Sequence, residues 1–256
     1  MNQNETQWDK LLKIKTTGRD DSRADQYRYP YEPTPYMVLE RLANSGLIRK
    51  NNTLIDYGTG KGRVCFYLSY QTRCKAVGVE YDERIYKGAA DNKELAVSGA
   101  RTEFVLCSAE NYEVPTDVDC CYFFNPFSVE ILQSVLAKIY ESYYENPREI
   151  LLFFYYPSEE YVSALMTQEQ LIFYDEINTS DLFSSEDVRE KIFNFSDSLR
   201  RILLVLTIPN TENQSRRRSF TERNLSNRHG KKGAHLKNYM ETFVRNNTCI
   251  IEQMFV

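Results

Sequence analysis

Acidic and glycine residues near the first apolar strand have the spacing of a small-ligand site. Residues 54–63 read LIDYGTGKGR, so an apolar pair leads to Asp56 and then to three alternate glycines, Gly58, Gly60 and Gly62. Glycine is favoured where the backbone takes a positive φ or where a ligand approaches it closely. Glu80, 24 residues beyond Asp56, ends the apolar run KAVGVE. A carboxylate there can accept hydrogen bonds from both hydroxyls of a ribose, so the pattern predicts a nucleoside site.

The glycine spacing of residues 58–63 matches neither the dinucleotide-binding loop nor the P-loop. A dinucleotide loop, G-x-G-x-x-G, needs a third glycine where this chain has Arg63. A P-loop needs lysine after its last glycine, and Arg63 follows Gly62. A third interpretation, in which the glycines serve only a strand–turn–helix corner, is disfavoured by the acids at Asp56 and Glu80.

The spacing Asp-x-Gly-x-Gly-x-Gly with an acid after the second strand resembles class I, seven-stranded S-adenosylmethionine-dependent methyltransferases. The resemblance covers about residues 30–195. It implies S-adenosylmethionine as cofactor, S-adenosylhomocysteine as product and no metal. The implied cofactor contacts are Asp56, Gly58, Gly60 and Gly62, with the ribose on Glu80. The adenine contact is expected after the third strand, at Ser108, Ala109 and Glu110; Ser108 aligns with the family's acid, and Glu110 could reach back in its place.

Asn125-Pro126-Phe127 follows the fourth predicted strand. An asparagine carbonyl there could orient an amine, and an aromatic ring could stabilise its charge. The motif resembles the Asn-Pro-Pro-aromatic signature of amino methyltransferases without its second proline. A plain strand-to-helix turn, with Pro126 entering the helix, explains the same residues. Asn125 is also expected near the cofactor, and Tyr155-Tyr156-Pro157 is expected on the same rim.

The segment Tyr31-Glu32-Pro33-Thr34-Pro35-Tyr36 resembles the Pro-Thr-Pro segment of seven-stranded histone-lysine methyltransferases. The resemblance implies that Thr34 and its neighbours close over the cofactor, and it favours a protein side chain as methyl acceptor. As an ordinary helix start, Thr34 would be the N-cap and Pro35 the first helical residue.

Strand and helix patterns alternate along the chain, which predicts an α/β fold with a doubly wound, mostly parallel sheet and helices on both faces. Strands are predicted at 53–57, 75–80, 102–107, 119–124, 149–155, 171–177 and 191–195. Helices are predicted at 34–45, 62–70, 82–98, 127–144, 158–166 and 184–190. The family resemblance implies seven strands in the order 3-2-1-4-5-7-6, the last one antiparallel.

Charge divides the chain unevenly. Residues 1–195 hold 21 basic and 31 acidic side chains, whereas residues 196–256 hold 11 basic and 5 acidic ones. We therefore predict an irregular N-terminal arm at 1–33, a methyltransferase domain at 34–195 and a basic C-terminal extension at 196–256. The extension is expected to be disordered or loosely docked, although 201–208 could form a strand or a helix.

The six cysteines include no C-x-x-C pair, and no apolar run reaches the length of a membrane helix. These features predict a cytoplasmic protein that binds no membrane. The predicted function is methyl transfer from S-adenosylmethionine, in line, to a nitrogen of a protein side chain or small molecule. One alternative is a nucleic-acid-binding or RNA-modifying protein that uses the same pocket and grips nucleic acid through its basic extension. A nicotinamide-dependent oxidoreductase is disfavoured by Arg63.

Overall fold

A computed structural model of the protein describes residues 3–20, 27–179, 182 and 202–210. These contain seven strands: β1 Thr53–Tyr57, β2 Lys75–Glu80, β3 Thr102–Leu106, β4 Cys120–Phe123, β5 Ile150–Tyr155, β6 Ile172–Asn178 and β7 Ile202–Ile208. The α-helices are α1 Gln3–Leu12, α2 Tyr36–Asn44, α3 Arg63–Thr72, α4 Glu83–Leu95, α5 Val129–Glu145 and α6 Glu159–Met166. Two short 3₁₀ turns, Gly99–Arg101 and Ala109–Asn111, flank β3.

All seven strands form one sheet in the order β3-β2-β1-β4-β5-β7-β6. The pairs among β1 to β5 are parallel, and β7 pairs antiparallel with both β5 and β6. The predicted strand order and the antiparallel seventh strand are confirmed. Strand order reverses between β1 and β4, which is where open α/β sheets leave a crevice at their carboxyl edge.

Helices cover both faces of the sheet, as predicted. One face packs Leu12, Leu39 and Phe66, from α1, α2 and α3, in one buried cluster. The other face packs Leu132 and Leu165, from α5 and α6, in a second cluster. Every residue of β1 and β5 is buried, which explains why the sequence of β5, ILLFFY, is apolar without alternation.

The prediction of an irregular arm at 1–33 was wrong for its first part. Residues 3–12 form α1, and Leu12 and Ile14 are buried in the core. Trp8 packs its ring against Tyr67 with centroids 4.9 Å apart. The helix has few apolar residues, so its stability depends on these distant contacts, which local pattern does not reveal.

The sheet also continues beyond residue 195, where the predicted domain ended. Residues 202–208 form β7, between β5 and β6, so the strand alternative for 201–208 is the one observed. The run ILLVLTI suits a strand covered on both faces. The predicted helix at 184–190, the predicted strand at 191–195 and the extension after 210 lie outside the described residues.

Candidate functional site

A cleft opens at the carboxyl edge of the sheet, where the strand order reverses. Residues predicted for the site that line it are Thr34, Asp56, Gly58, Glu80, Ala109, Glu110, Pro126 and Phe127. Gly60, Gly62, Ser108 and Asn125 are not among the lining residues, although each is a neighbour of one in sequence or through a hydrogen bond. Residues 28–34 cross the mouth of the cleft and form one of its walls.

The three loop glycines all have positive φ, at 71°, 60° and 87° for Gly58, Gly60 and Gly62. A Cβ on Gly58 would lie 2.5 Å from Cβ of Pro126. A Cβ on Gly60 would overlap the ring of Tyr31. The loop is therefore made of glycine both for its backbone conformation and because neighbouring side chains approach it closely.

Replacing Gly60 by alanine is expected to cost about 2 kcal/mol beyond backbone strain, because Tyr31 must be displaced. Gly46→Ala is a matched control, because Gly46 also has a positive φ, +73°, but nothing lies within 4 Å of the Cβ that alanine would add. This variant should therefore lose only the cost of placing alanine in left-handed backbone, about 1–2 kcal/mol. Urea unfolding of both variants measures the difference. Equal losses of stability would show that Tyr31 moves aside at no cost.

Glu80 is buried at the end of β2 and organises the glycine loop. Its Oε2 accepts the backbone N–H of Gly60 at 2.9 Å, and its Oε1 accepts those of Tyr81 and Asp82, each at 3.0 Å. Burial raises the pKa of Glu80, and these backbone hydrogen bonds oppose that rise. A carboxylate offers about four acceptor positions, so one position on Oε2 is left for a ligand hydroxyl.

Asp56 is fully buried at the end of β1 and accepts a hydrogen bond from Thr59 Oγ1 at 2.7 Å. Burial, with a smaller contribution from the nearby Glu80 carboxylate, raises the pKa of Asp56 to about 7. A cationic ligand in the cleft would favour the ionised form of this side chain.

We expect the free energy of unfolding to fall as pH rises from about 4 to about 7, because the folded state keeps a proton on Asp56 that the unfolded chain releases at lower pH. The contribution is complete below the unfolded pKa and is lost as pH passes the folded pKa. Denaturant titrations across this range should show a weaker fall in Asp56→Asn. The same slope in both proteins would contradict the raised pKa.

Arg28 closes the end of the cleft where the adenine contact is expected. Its guanidinium donates to Ser108 Oγ at 2.8 Å and to Glu110 Oε1 at 3.0 Å, and it lies 4.7 Å from the ring centre of Tyr81. Glu110 Oε2 is buried and has no hydrogen-bond partner among the described residues. At this end of the cleft, Ser108 Oγ is therefore engaged by Arg28, whereas Glu110 keeps one carboxylate oxygen without a partner among the described residues. Sequence reasoning missed Arg28, because nothing in the pattern of residues 27–33 indicates a contact 80 positions away.

Asn125, Pro126 and Phe127 form the wall beside the glycine loop. Asn125 has φ +43°, and its Oδ1 is buried without a partner among the described residues. The Tyr29 N–H donates to the carbonyl of Pro126 at 3.2 Å, and the Tyr161 hydroxyl donates to that of Phe127 at 2.6 Å. A non-glycine residue in left-handed backbone and a buried unpaired acceptor are features that concentrate at functional sites.

An aromatic cluster lies next to this wall. The ring of Phe124, which lines the cleft, has its centre 4.8 Å from that of Tyr155 and 6.2 Å from that of Tyr156. The two tyrosines do not line the cleft themselves. They pack against the ring of Phe124 instead.

Thr34 lines the cleft, but it does not cap α2 as predicted. Helix α2 begins at Tyr36, with Pro35 in the cap position and no side-chain cap. The Thr34 hydroxyl instead shares a hydrogen bond with the Tyr122 hydroxyl at 3.1 Å. The cap prediction was wrong by one position, since the Pro35 backbone stays extended, with ψ 136°.

Arg63 joins the cleft to the first helix. Its Nε donates to Thr16 Oγ1 at 2.7 Å, and its guanidinium pairs with Glu5 and lies 3.8 Å from Asp9 Oδ1. The guanidinium also covers the ring of Tyr36 at 4.3 Å. Its side chain is 2% exposed. The sequence pattern identified Arg63 only as the residue that breaks a dinucleotide loop, and it missed this structural role.

Within the described ranges, no group of three or more His, Cys, Asp or Glu side chains could hold a metal ion. The helices in the same part of the chain are all too short or too polar to cross a lipid bilayer.

No protein-family model matches the chain, and no curated protein matches it significantly. Its fold is similar to several solved structures at low identity. One is an RNA methyltransferase from Salinibacter ruber in complex with S-adenosyl-L-homocysteine. The two sequences are 16% identical, the match covers 70% of this chain and 94% of that chain, and the TM-score is 0.43. Another is precorrin-6y C5,15-methyltransferase from Geobacter metallireducens, which is 13% identical to this chain. That match covers 69% of this chain and 89% of the other, with a TM-score of 0.49. A third is a protein in the NADB-Rossmann superfamily from Streptococcus agalactiae: 13% identity, 71% coverage of both chains, TM-score 0.48.

Proposed function

We propose that this chain is a class I methyltransferase that binds S-adenosylmethionine in the cleft. The observation that carries the proposal is the buried Glu80 carboxylate, which is hydrogen-bonded to Gly60 and keeps an acceptor position beside the loop of positive-φ glycines. A ribose hydroxyl is a suitable donor to that position. Glu110 Oε2, buried and unpaired among the described residues, is suited to accept a hydrogen bond from the adenine amino group.

Methyl transfer at this site depends mainly on how the acceptor is aligned with the methyl group. The cofactor, when bound, supplies a methyl group on a positively charged sulfur. The acceptor nitrogen must present its lone pair to that methyl carbon, and positioning provides most of the rate enhancement in such a displacement. Asn125, Pro126 and Phe127 are proposed to position the acceptor, with Asn125 Oδ1 accepting an N–H.

The acceptor is proposed to be a nitrogen of a protein side chain or small molecule. The alternative, an RNA-modifying protein, rests on the basic extension predicted at 196–256, of which the structure describes residues 202–210. Arg63 disfavours a nicotinamide-dependent oxidoreductase, because it stands at the third glycine position and is engaged in buried ion pairs.

A cytoplasmic location is supported by the five described cysteines, all of which are free.

Thermal unfolding with added S-adenosylhomocysteine tests the proposal. A ligand at 100 times its Kd stabilises the folded state by about 2.7 kcal/mol, and so raises Tm by several degrees. We expect that rise with S-adenosylhomocysteine and none with NAD. A rise with NAD alone would refute the proposed cofactor.

Replacing Asn125 by alanine is expected to lower kcat about 10-fold, since one hydrogen bond to the acceptor is lost. The Kd for S-adenosylmethionine should not change, because the contacts proposed for the cofactor, at Glu80 and Glu110, are left in place. Turnover and calorimetry on the same preparation separate the two effects. Unchanged turnover would show that Asn125 does not position the acceptor.

A further inference from the structure

We infer that the methyl acceptor is a cationic amine, of the kind carried by a lysine side chain or a polyamine. This inference rests on the proposed function and names the substrate class of the same site. Its basis is the distribution of charge and aromatic rings around the cleft, and it decides between an amine and a nucleic acid.

The wall of the cleft is acidic. Two basic and six acidic side chains line it; the acidic ones are Asp20, Glu32, Asp56, Glu80, Asp82 and Glu110. Both basic residues are engaged with carboxylates: Arg28 with Glu110 at 3.0 Å, and Arg63 with Glu5. Two of the acids also have a cationic partner, Asp20 with Arg84 at 2.9 Å and Glu32 with Arg19 at 3.4 Å. Acidic side chains still outnumber basic ones when these partners are included. An electrostatic potential of this sign concentrates cations in a cleft and opposes the entry of anions.

Further carboxylates face the tyrosines beside the acceptor wall. Burial raises the pKa of Tyr29, and the charges of Glu160 and Glu130 raise it further. Glu130 lies in the first turn of α5 and Glu160 in the first turn of α6, so the two helix starts bring both acids towards Tyr29, whose N–H donates to the carbonyl of Pro126. On the other side, Glu32 lies close enough to Tyr155 to raise the pKa of that phenol in addition to the effect of burial.

The groups beside the acceptor wall suit an ammonium. An alkylammonium has only donors, so it needs oxygen acceptors and the faces of aromatic rings. Asn125 Oδ1 is a buried acceptor without a partner among the described residues, and the ring of Phe124 lines the cleft beside it. A phosphodiester has only acceptors and needs lysine or arginine. The two cleft arginines are already paired, so the cleft suits the amine.

The transfer step balances for such an acceptor. The ammonium first gives a proton to solvent water at the mouth of the cleft, which frees the nitrogen lone pair. That pair forms the new N–C bond, and the electrons of the broken C–S bond return to sulfur, whose positive charge is lost. The product amine carries the charge, and S-adenosylhomocysteine is released.

Transfer of tritiated methyl groups to three probes tests the inference: pentalysine, spermidine and an RNA oligonucleotide of mixed sequence. We expect transfer to pentalysine, to spermidine or to both, and the pattern identifies which source of the amine is used. Transfer to the RNA, or to neither amine, would overturn the inference. Calorimetry with S-adenosylmethionine is run in parallel, and absence of cofactor binding there would instead refute the proposed function.

A charge-removal variant supplies the second readout. Glu130→Gln/Glu160→Gln should raise KM for the methylated amine about 10-fold, because two surface attractions are lost. Its kcat and cofactor Kd should be unchanged. Calorimetry should show the same weakening of pentalysine binding to the S-adenosylhomocysteine complex. The control Glu94→Gln/Glu145→Gln removes two equally exposed carboxylates, at the carboxyl ends of α4 and α5, that do not contribute to the charge acting on Tyr29. Equal effects of both double variants would mean that only net charge matters, which contradicts the inference.

Discussion

Replacing Glu80 by glutamine is expected to weaken S-adenosylmethionine binding about 100-fold, since a charge-assisted contact and the loop geometry are lost together. The carboxylate accepts N–H groups on both oxygens, from Gly60 on one side and from Tyr81 and Asp82 on the other. A carboxamide has an oxygen on one side only. Its NH₂ group must therefore face at least one backbone N–H, donor against donor.

Calorimetric titration of Glu80→Gln measures this loss. Glu103→Gln is the matched control, because Glu103 is exposed on β3 and does not line the cleft. Circular dichroism must show that both variants are folded. An unchanged Kd in a folded Glu80→Gln protein would show that the ribose does not bind to Glu80.

Replacing Arg63 by methionine is expected to lower the free energy of unfolding by about 3–5 kcal/mol, the usual cost of removing one partner from a buried ion pair. The substitution keeps most of the side-chain volume but leaves the Glu5 carboxylate without its guanidinium. It also removes the donors to Thr16 Oγ1 and to the carbonyl of Thr34. Because these contacts join α1 to the cleft wall, the cofactor Kd should rise as well.

Urea unfolding measures the loss, and Lys138→Met is the control. Lys138 forms ion pairs with Glu113 and Glu141, whose side chains are 79% and 62% exposed, so its removal should change stability little. Equal losses in the two variants would show that the network around Arg63 contributes no more than a surface pair.

The fold could be predicted largely because the sheet is parallel and buried. Strands covered on both faces read as continuous apolar runs, and the ends of β1 to β6 lie within two residues of the predicted ones. Helix α1 escaped prediction because its order depends on Trp8 packing and on Asp9, which accepts hydrogen bonds from Tyr36 and Thr16. Such contacts join residues far apart in the chain.

The site was predictable where it depends on strand ends. Asp56 is the last residue but one of β1, and Glu80 ends the neighbouring parallel strand β2, so their proximity at one edge follows from the sheet itself. The contacts made by residues 28–34 do not follow in this way. Arg28 reaches Glu110, and Tyr31 covers Gly60, only because that segment crosses the cleft mouth and pairs with Phe127. No periodicity in the sequence encodes that crossing.

The measurement that tests the central claim most directly is a crystal structure of the protein with S-adenosylhomocysteine. We predict density for the nucleoside against Gly58, with a ribose hydroxyl bonded to Glu80 Oε2 and the adenine amino group at Glu110. A ligand bound away from Glu80, or a complex that forms with NAD in that position and not with S-adenosylhomocysteine, would contradict the claim.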